Sequence, residues 1–417
     1  MKFDAESRID PGIDAMTFVS HLECSATGET YAAGELHGLS DAGKPLLVRY
    51  DLEAVAGAWN KNALAGRPRD MWRYIELLPL EVPDIISLGE NETPLVPLPT
   101  LAKRLGGAEI LVKDEGRLPT GSFKARGLSL AVAMAKRFGV THIAMPTAGN
   151  AGAALAAYCR RAGIEATVFC PDDAPEVTVR EIAQHGAAVY RVNGIIDQCG
   201  ELVAKGAEET GWFDFSTLKE PYRIEGKKTM GFELVEQLGW DVPDAILYPT
   251  GGGTGLIGMW KAFEELGAIG WLGPKRPRMI AVQSTGCGPL VAAFEAGAME
   301  VDTPWDPVTT TIHGVRVPKP FGDFLCLRAI YDSNGFATAV EDDEVEAARA
   351  EVAATEGLHL CPEGAACYLA YRQELASGRI AAGDRVVIFN SASGLKSPMA
   401  AVDTTLDRHG EIDYRAL

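Results

Sequence analysis

The sequence predicts an α/β protein of two lobes, each an open, largely parallel sheet flanked by helices, with a small unit at the N-terminus. Three observations carry this. At 417 residues the chain exceeds one ordinary domain, and two large lobes plus an appendage is the natural partition. From Ile110 onward, apolar β-branched runs alternate with helical segments, the βαβ rhythm of parallel sheets covered on both faces. Residues 1–60 lack that rhythm. There His21 to Gly28 leads through Gly- and Asp-containing turns to Pro45 to Asp51, which suggests a few small strands.

Taken in order, the segment from Arg69 to Pro99 carries Trp72, Tyr74 and the prolines 79, 83, 94, 97 and 99, and reads as an extended connection wrapping into the main body. Ile110 to Lys113 is a strand, and Leu128 to Ala135 begins the helix after it. Three strand–helix pairs follow: Thr141–Met145 with Ala151–Arg161, Ala166–Cys170 with Glu176–His185, and Ala188–Val192 with Ile195–Glu209. Ala245–Tyr248 precedes a helix after Gly255. Met279–Val282 and Arg385–Phe389 are the remaining strands, and the proline-rich stretch 299–320 is a long loop.

Hydrophobic residues make up 47% and charged residues 23%, the balance of a soluble globular protein with ample core. A net charge of -18 argues against a nucleic-acid or anionic-membrane surface, which needs clustered Lys and Arg. The eight cysteines are scattered without a CxxC, so neither a disulfide framework nor a metal site is indicated. With no apolar leader at the N-terminus and no run of about eighteen apolar residues, the reading is a cytoplasmic protein with reduced thiols.

Four motifs carry chemistry. The first is Pro119-Thr120-Gly121-Ser122-Phe123-Lys124-Ala125-Arg126-Gly127, which places Lys124 at a turn into a helix with Phe123 beside it. Partial dehydration there lowers the proton affinity of an amine and frees it as a nucleophile able to form a Schiff base with an aldehyde cofactor. The second, Pro146 to Gly152, has small residues between a strand and a helix, whose N–H groups form a nest suited to a carboxylate; Asn150 adds a side-chain donor.

The third is Pro249-Thr250-Gly251-Gly252-Gly253-Thr254-Gly255-Leu256-Ile257-Gly258, a phosphate cradle at a helix start. Its Gly253-x-Gly255-x-x-Gly258 also satisfies the dinucleotide fingerprint, but the next strand ends in Gln283-Ser284 where that fingerprint wants an acid. A phosphate monoester fits better. The fourth is Phe389 to Lys396, where a serine after the last strand can set a hydroxyl against a heterocyclic nitrogen. An amine nucleophile, a phosphate cradle, a carboxylate nest and a hydroxyl together describe a site for pyridoxal phosphate.

These residues resemble the fold-type II pyridoxal-phosphate enzymes, the tryptophan synthase β-like superfamily, and within it the threonine synthases. The resemblance runs from about Glu90 to Lys396 and is carried by Gly121–Gly127, Tyr222–Thr229 and Ser393–Lys396. It implies Lys124 as the cofactor-bearing and proton-carrying lysine, Asn150 on the cofactor's phenolic oxygen, and Gly251, Gly252, Gly253 and Thr254 around its phosphate. It implies Ser391 on the ring nitrogen, where a hydroxyl, unlike a carboxylate, favours elimination and replacement over transamination. Thr147, Ala148 and Gly149 would seat the substrate carboxylate, and Arg223 the phosphate of O-phosphohomoserine. The implied reaction converts that substrate and water to threonine and phosphate, in a homodimer.

The resemblance also implies a body of residues 61–417, with a lobe of about 135–225 inserted in the other, behind a degenerate zinc-ribbon-like unit of residues 1–60. In that unit Cys24 and Tyr50-Asp51 fit and the other cysteines are missing. Two more departures stand out: Ala125 replaces a usual aspartate, and the phosphate loop holds glycines where asparagines often stand. The all-glycine loop keeps a serine/threonine-type ammonia-lyase, or a β-replacement enzyme, as the alternative. Glu363, at a helix start near the site in relatives, reads first as a helix-capping acid and second as a substrate-positioning or proton-moving group.

Overall fold

The computed structural model describes residues 17–107, 109–147, 149–399 and 405–415. The small N-terminal unit is an antiparallel sheet in the order β2-β1-β3, built from β1 (Val19–Cys24), β2 (Thr30–Tyr31) and β3 (Leu46–Tyr50). Cys24 there takes the Thr27 N–H at 3.5 Å and donates its thiol to the Ser40 hydroxyl at 3.2 Å, so it closes a turn. Helix α1 (Leu52–Ala58) follows, its N-terminus capped by Asp51.

The larger lobe is built on β4 (Leu95–Pro97), β5 (Glu109–Asp114), β10 (Ala245–Pro249), β11 (Arg278–Ser284), β12 (Phe336–Val340) and β13 (Arg385–Asn390). Their order is β12-β11-β10-β13-β5-β4, parallel except for β4 against β5. The smaller lobe holds β6 (His142–Pro146), β7 (Glu165–Pro171), β8 (Ala188–Val192) and β9 (Phe213–Asp214), ordered β8-β7-β6-β9 and all parallel. Interior strands such as Ala245–Pro249 are buried at every residue, as helices on both faces require. The edge strand β8 has only exposed and half-buried positions instead.

The helices are α2 (Pro99–Leu105), α3 (Lys124–Arg137), α4 (Asn150–Ala162), α5 (Glu176–Gln184), α6 (Ile196–Thr210), α7 (Tyr222–Gln237), α8 (Thr254–Ala268), α9 (Pro289–Glu295), α10 (Asp323–Asp332), α11 (Asp342–Glu356) and α12 (Pro362–Ala376). Glycines 163, 211 and 357 end α4, α6 and α11 in the left-handed conformation. Between α9 and α10, residues 301–322 form a strap without regular structure.

Helix α7 is the spine of the site. Every residue from Tyr222 to Val235 is buried, five of them charged. Glycine inside a helix costs about 1 kcal/mol against alanine, and α7 has Gly226 and Gly231. The reason is close approach: a Cβ on Gly226 would overlap the Arg126 carbonyl of α3, and one on Gly231 would lie 2.8 Å from Ala262 of α8. The three helices therefore pack almost backbone to backbone.

One expected feature is corrected. The segment from Arg69 to Pro99 is not extended throughout: Met71 to Leu80 are all buried, with Met71–Leu77 in 3-10 turns capped by Asp70. Its polar side chains find partners inside, Arg73 on Glu236 at 2.8 Å, the Tyr74 hydroxyl on Glu236 at 2.6 Å and the Trp72 indole on Glu90 at 3.0 Å, while Arg73 Nε stays without one among the described residues. Paired charges let a proline-punctuated stretch become core.

Candidate active site

Three of the four motifs follow β5, β10 and β13, which are neighbours in the large sheet, so their loops share its carboxyl edge. The Lys124 and Ser391 loops are bonded to one another directly. Phe123 N–H donates to the Ser391 carbonyl at 2.9 Å, Ser393 N–H to Gly121 at 2.8 Å, and Ser122 bridges Ala392. Asn150 opens α4 in the small lobe, and α4 packs against the Pro119–Gly121 turn that leads to Lys124. Ala148 lies outside the described residues.

Lys124 is half-buried at the first turn of α3, its Nζ 4.6 Å from the centroid of the Phe123 ring. Burial holds its amine down at about 8; the Arg223 charge pushes the same way and Glu363 opposes. Such an amine has a substantial neutral fraction near neutral pH, which a nucleophile requires.

The glycine loop runs from β10 into α8, whose first turn carries no acidic residue. Gly253 is left-handed at φ 76°, and a Cβ on it would overlap the Cys326 sulfur. A Cβ on Gly251 would lie 2.5 Å from the Gly314 carbonyl, and one on Gly252 3.2 Å from the Thr217 methyl. Side chains are excluded and backbone is left facing the loop's mouth. That is the shape of a cradle for a phosphate. Across it, Glu363 at the start of α12 accepts the Gly314 N–H at 2.9 Å and so pins the strap over Gly251. Arg316 of the strap is ion-paired with Asp173 of the small lobe, tying the two lobes at the mouth of the cleft.

Ser391 is buried and its hydroxyl lies 3.7 Å from the Cys361 sulfur. Cys361 itself caps α12 by accepting the Gly364 N–H at 3.3 Å. Asn150 Oδ1 is buried without a hydrogen-bond partner among the described residues. An unpartnered amide at the start of α4, which packs on the turn leading to Lys124, a glycine loop with no acid in the first turn after it and a lysine held low fit an aldehyde cofactor that brings its own phosphate and phenolic oxygen.

Two expected substrate contacts are committed elsewhere. Thr147 gives its N–H to the Phe169 carbonyl at 2.9 Å and its hydroxyl accepts Gly149 N–H at 3.0 Å and Gly152 N–H at 3.3 Å. It therefore holds the start of α4, leaving its own donors turned away from a ligand. Arg223 is buried, with Nε 3.1 Å from Glu220 and Nη2 on the Phe215 carbonyl at 2.5 Å. Only its Nη1 edge reaches toward the loop, ending 3.4 Å from Thr217. Residues that sequence reasoning missed are Glu220 and Thr217, which orient Arg223, the strap's Gly314 and Arg316, and Lys227 of α7. Of these, only Lys227 lies in a segment the sequence singles out, Tyr222–Thr229.

This fold and this edge define a class. Residues 86–392 match the pyridoxal-phosphate dependent enzymes, and the chain belongs to that family, with pyridoxal phosphate as its cofactor. Within the class it falls among the threonine synthases. It is 34% identical over 383 residues to the threonine synthase of Methanocaldococcus jannaschii, covering 91% of this chain and 93% of that one. It is 33% identical over 387 residues to that of Methanosarcina acetivorans, covering 92% and 94%. Among solved structures, diaminopropionate ammonia lyase from Escherichia coli superimposes with a TM-score of 0.63 at 19% identity, over 74% of this chain and 86% of that one. Threonine deaminase isoform 2 from Solanum lycopersicum gives 0.63 at 21% identity, over 78% and 86%. These structural likenesses carry the fold.

Proposed function

We propose that the chain is a threonine synthase, a lyase that releases phosphate from O-phospho-L-homoserine and adds water to form L-threonine. The observation that carries this is Lys124, an amine held near 8 at the sheet's carboxyl edge, backbone-bonded to the Ser391 loop and electrostatically coupled to Glu363. Its relatives across nine-tenths of its length bear that name.

The cofactor, when bound, supplies an electron sink that lets the substrate's α-proton and its γ-substituent leave. Lys124 would bear it, Gly251 to Thr254 would hold its phosphate through backbone N–H groups, Asn150 would meet its phenolic oxygen and Ser391 its ring nitrogen. Lys124 Nζ, once free, is basic enough to take the α-proton and acidic enough to return it. Gly149 and its neighbours would seat the substrate carboxylate, with Thr147 holding that loop in place. Arg223 would offer its Nη1 edge to the substrate phosphate. The strap, pinned by Glu363, would keep water off the reacting carbons until the phosphate has left.

A second reading, a serine/threonine-type ammonia-lyase, is favoured by the side-chain-free loop and by the internal engagement of Arg223. Phosphate and threonine formed from O-phosphohomoserine support the first reading; keto acid formed from threonine or serine, without phosphate release, overturns it. The same reading includes a cytoplasmic homodimer and a body of residues 61–417 with the lobe of about 135–225 inserted in the other. It also includes an N-terminal zinc-ribbon-like unit that has lost its metal ligands. Among the described residues no cluster of metal-ligating side chains is present, and no helix is long and apolar enough to cross a membrane.

A further inference from the structure

Lys227 is wholly buried on α7, and its amine has a single hydrogen-bond partner among the described residues, the Phe123 carbonyl. A lysine so placed without a carboxylate is poorly able to hold a charge. Burial, with the Lys124 and Arg223 charges close by, pushes its amine well below the ordinary lysine value.

The slot that receives it is shaped by glycines. A Cβ on Gly127 of α3 would lie 2.8 Å from Lys227 Cε, and one on Gly258 of α8 would lie 2.9 Å from its Cβ. The stem is thus threaded between three helices and can deliver its amine to one place. That place is the peptide immediately before Lys124. Phe123 is the N-cap of α3 and has no side-chain cap of its own. Its N–H is fixed by the Ser391 carbonyl at 2.9 Å, and its carbonyl, which also takes the Arg126 N–H at 3.2 Å, is fixed by Lys227. Both amines stand against one phenyl ring, Lys227 Nζ at 3.9 Å and Lys124 Nζ at 4.6 Å from the Phe123 centroid.

We infer that Lys227 is a positioning residue for Lys124, its amine clamping the Phe123 carbonyl from a slot that gives it no carboxylate partner among the described residues. The inference rests on the proposed role of Lys124. The charges facing Lys227 are Lys124 and Arg126 from α3, Arg223 from its own helix and Glu115 from the turn after β5; α8 meets it at Gly258. Three of the four are cations. A charge on Lys227 would therefore meet repulsion from three of these four groups.

The test compares Lys227→Met, which keeps the length and removes the donor, with Lys227→Gln, which restores an uncharged donor. Cofactor-free protein is mixed with pyridoxal phosphate across a pH range, and the rate of borohydride-trapped labelling at Lys124 is read by peptide mapping. In Lys227→Met, kcat should fall roughly ten- to a hundredfold with KM little changed, the loss a slightly misplaced reacting group produces. The pH midpoint of labelling should rise, because the released Phe123 carbonyl can stabilise a protonated neighbour. Lys227→Gln should return both toward the native values. An unmoved midpoint with unchanged kcat in Lys227→Met overturns the inference. So does a Gln variant as impaired as the Met variant, or a Met variant that does not fold. A native protein labelled at another lysine instead removes the proposed role of Lys124, an outcome separable from all of these.

Discussion

Lys227 and Lys228 are neighbours on α7, both wholly buried, and they live in opposite electrostatic surroundings. Lys228 points to a closed network. It pairs with Glu225 at 2.6 Å and Glu265 at 2.8 Å, while Lys261 pairs with the same two carboxylates, and the Tyr50 hydroxyl of the N-terminal unit donates to Glu225 at 2.7 Å. One turn further along, Arg126 and Lys113 balance Glu115 and Glu233 in the same way. On the Lys227 side, Lys124, Lys227 and Arg223 face each other with Glu220 committed to Arg223 alone. Balanced buried charge here is architecture, docking one unit on another. Lys227, by contrast, has no carboxylate among its hydrogen-bond or ion-pair partners in the described residues and donates to the Phe123 carbonyl beside Lys124, the kind of setting that perturbed groups of a functional site occupy.

The comparison can be broken most forcefully at the balanced end. Glu233→Gln leaves two buried cations short of a partner and should lower the unfolding free energy by about 3–5 kcal/mol, measured by urea titration. Against the upward push of burial, Arg126 and Lys113 hold the Glu233 carboxyl at about 2. Its contribution is therefore present above the ordinary carboxylate range and is lost as pH falls toward 2; acid titration of native and Glu233→Gln proteins should show that difference shrinking below about pH 4. A flat difference would remove the ion pairs as its cause.

At the unbalanced end the prediction inverts. Lys227→Met removes a buried polar group that has no carboxylate, so the cofactor-free protein should keep its stability within about 1 kcal/mol while catalysis suffers. A larger loss of stability would place Lys227 with the architecture. Gly251→Ala, which drives a methyl to 2.5 Å from the Gly314 carbonyl, should fold and yet bind pyridoxal phosphate much more weakly by absorbance titration. The rate of cofactor attachment should rise with pH and level off above about 8, because only the neutral Lys124 amine attacks. The smallest effect belongs to Arg316→Ala, whose partly exposed pair with Asp173 is worth about 1 kcal/mol or less; a few-fold rise in KM at unchanged kcat is expected.

Much of this was legible before any coordinates. The alternation of β-branched runs with helical segments located the interior strands and α4 to α6, because parallel strands buried on both faces leave continuous apolar signatures. Motifs that break the pattern with glycine, Lys124 and Ser391 were legible for the same reason. The strand Phe336–Val340 was not, since Phe-Ala-Thr-Ala-Val carries too short and too weak an apolar run to stand out from a loop. Nor was the burial of Met71 to Leu80, where Arg73 and Glu76 suggest water until their partners are known. The same blindness hid Lys227. Charged residues at adjacent positions read as a solvated face, and only the facing glycines of α3 and α8 show that there is no solvent there.

The central claim is that Lys124, at the carboxyl edge of the large sheet, carries the cofactor. Borohydride reduction of the cofactor-loaded protein followed by peptide mapping tests it most directly. The label is expected on Lys124 alone, and Lys124→Ala is expected to fold and to lose both the label and the visible absorbance band. A label on Lys227, Lys228 or any other lysine of the native protein contradicts the assignment.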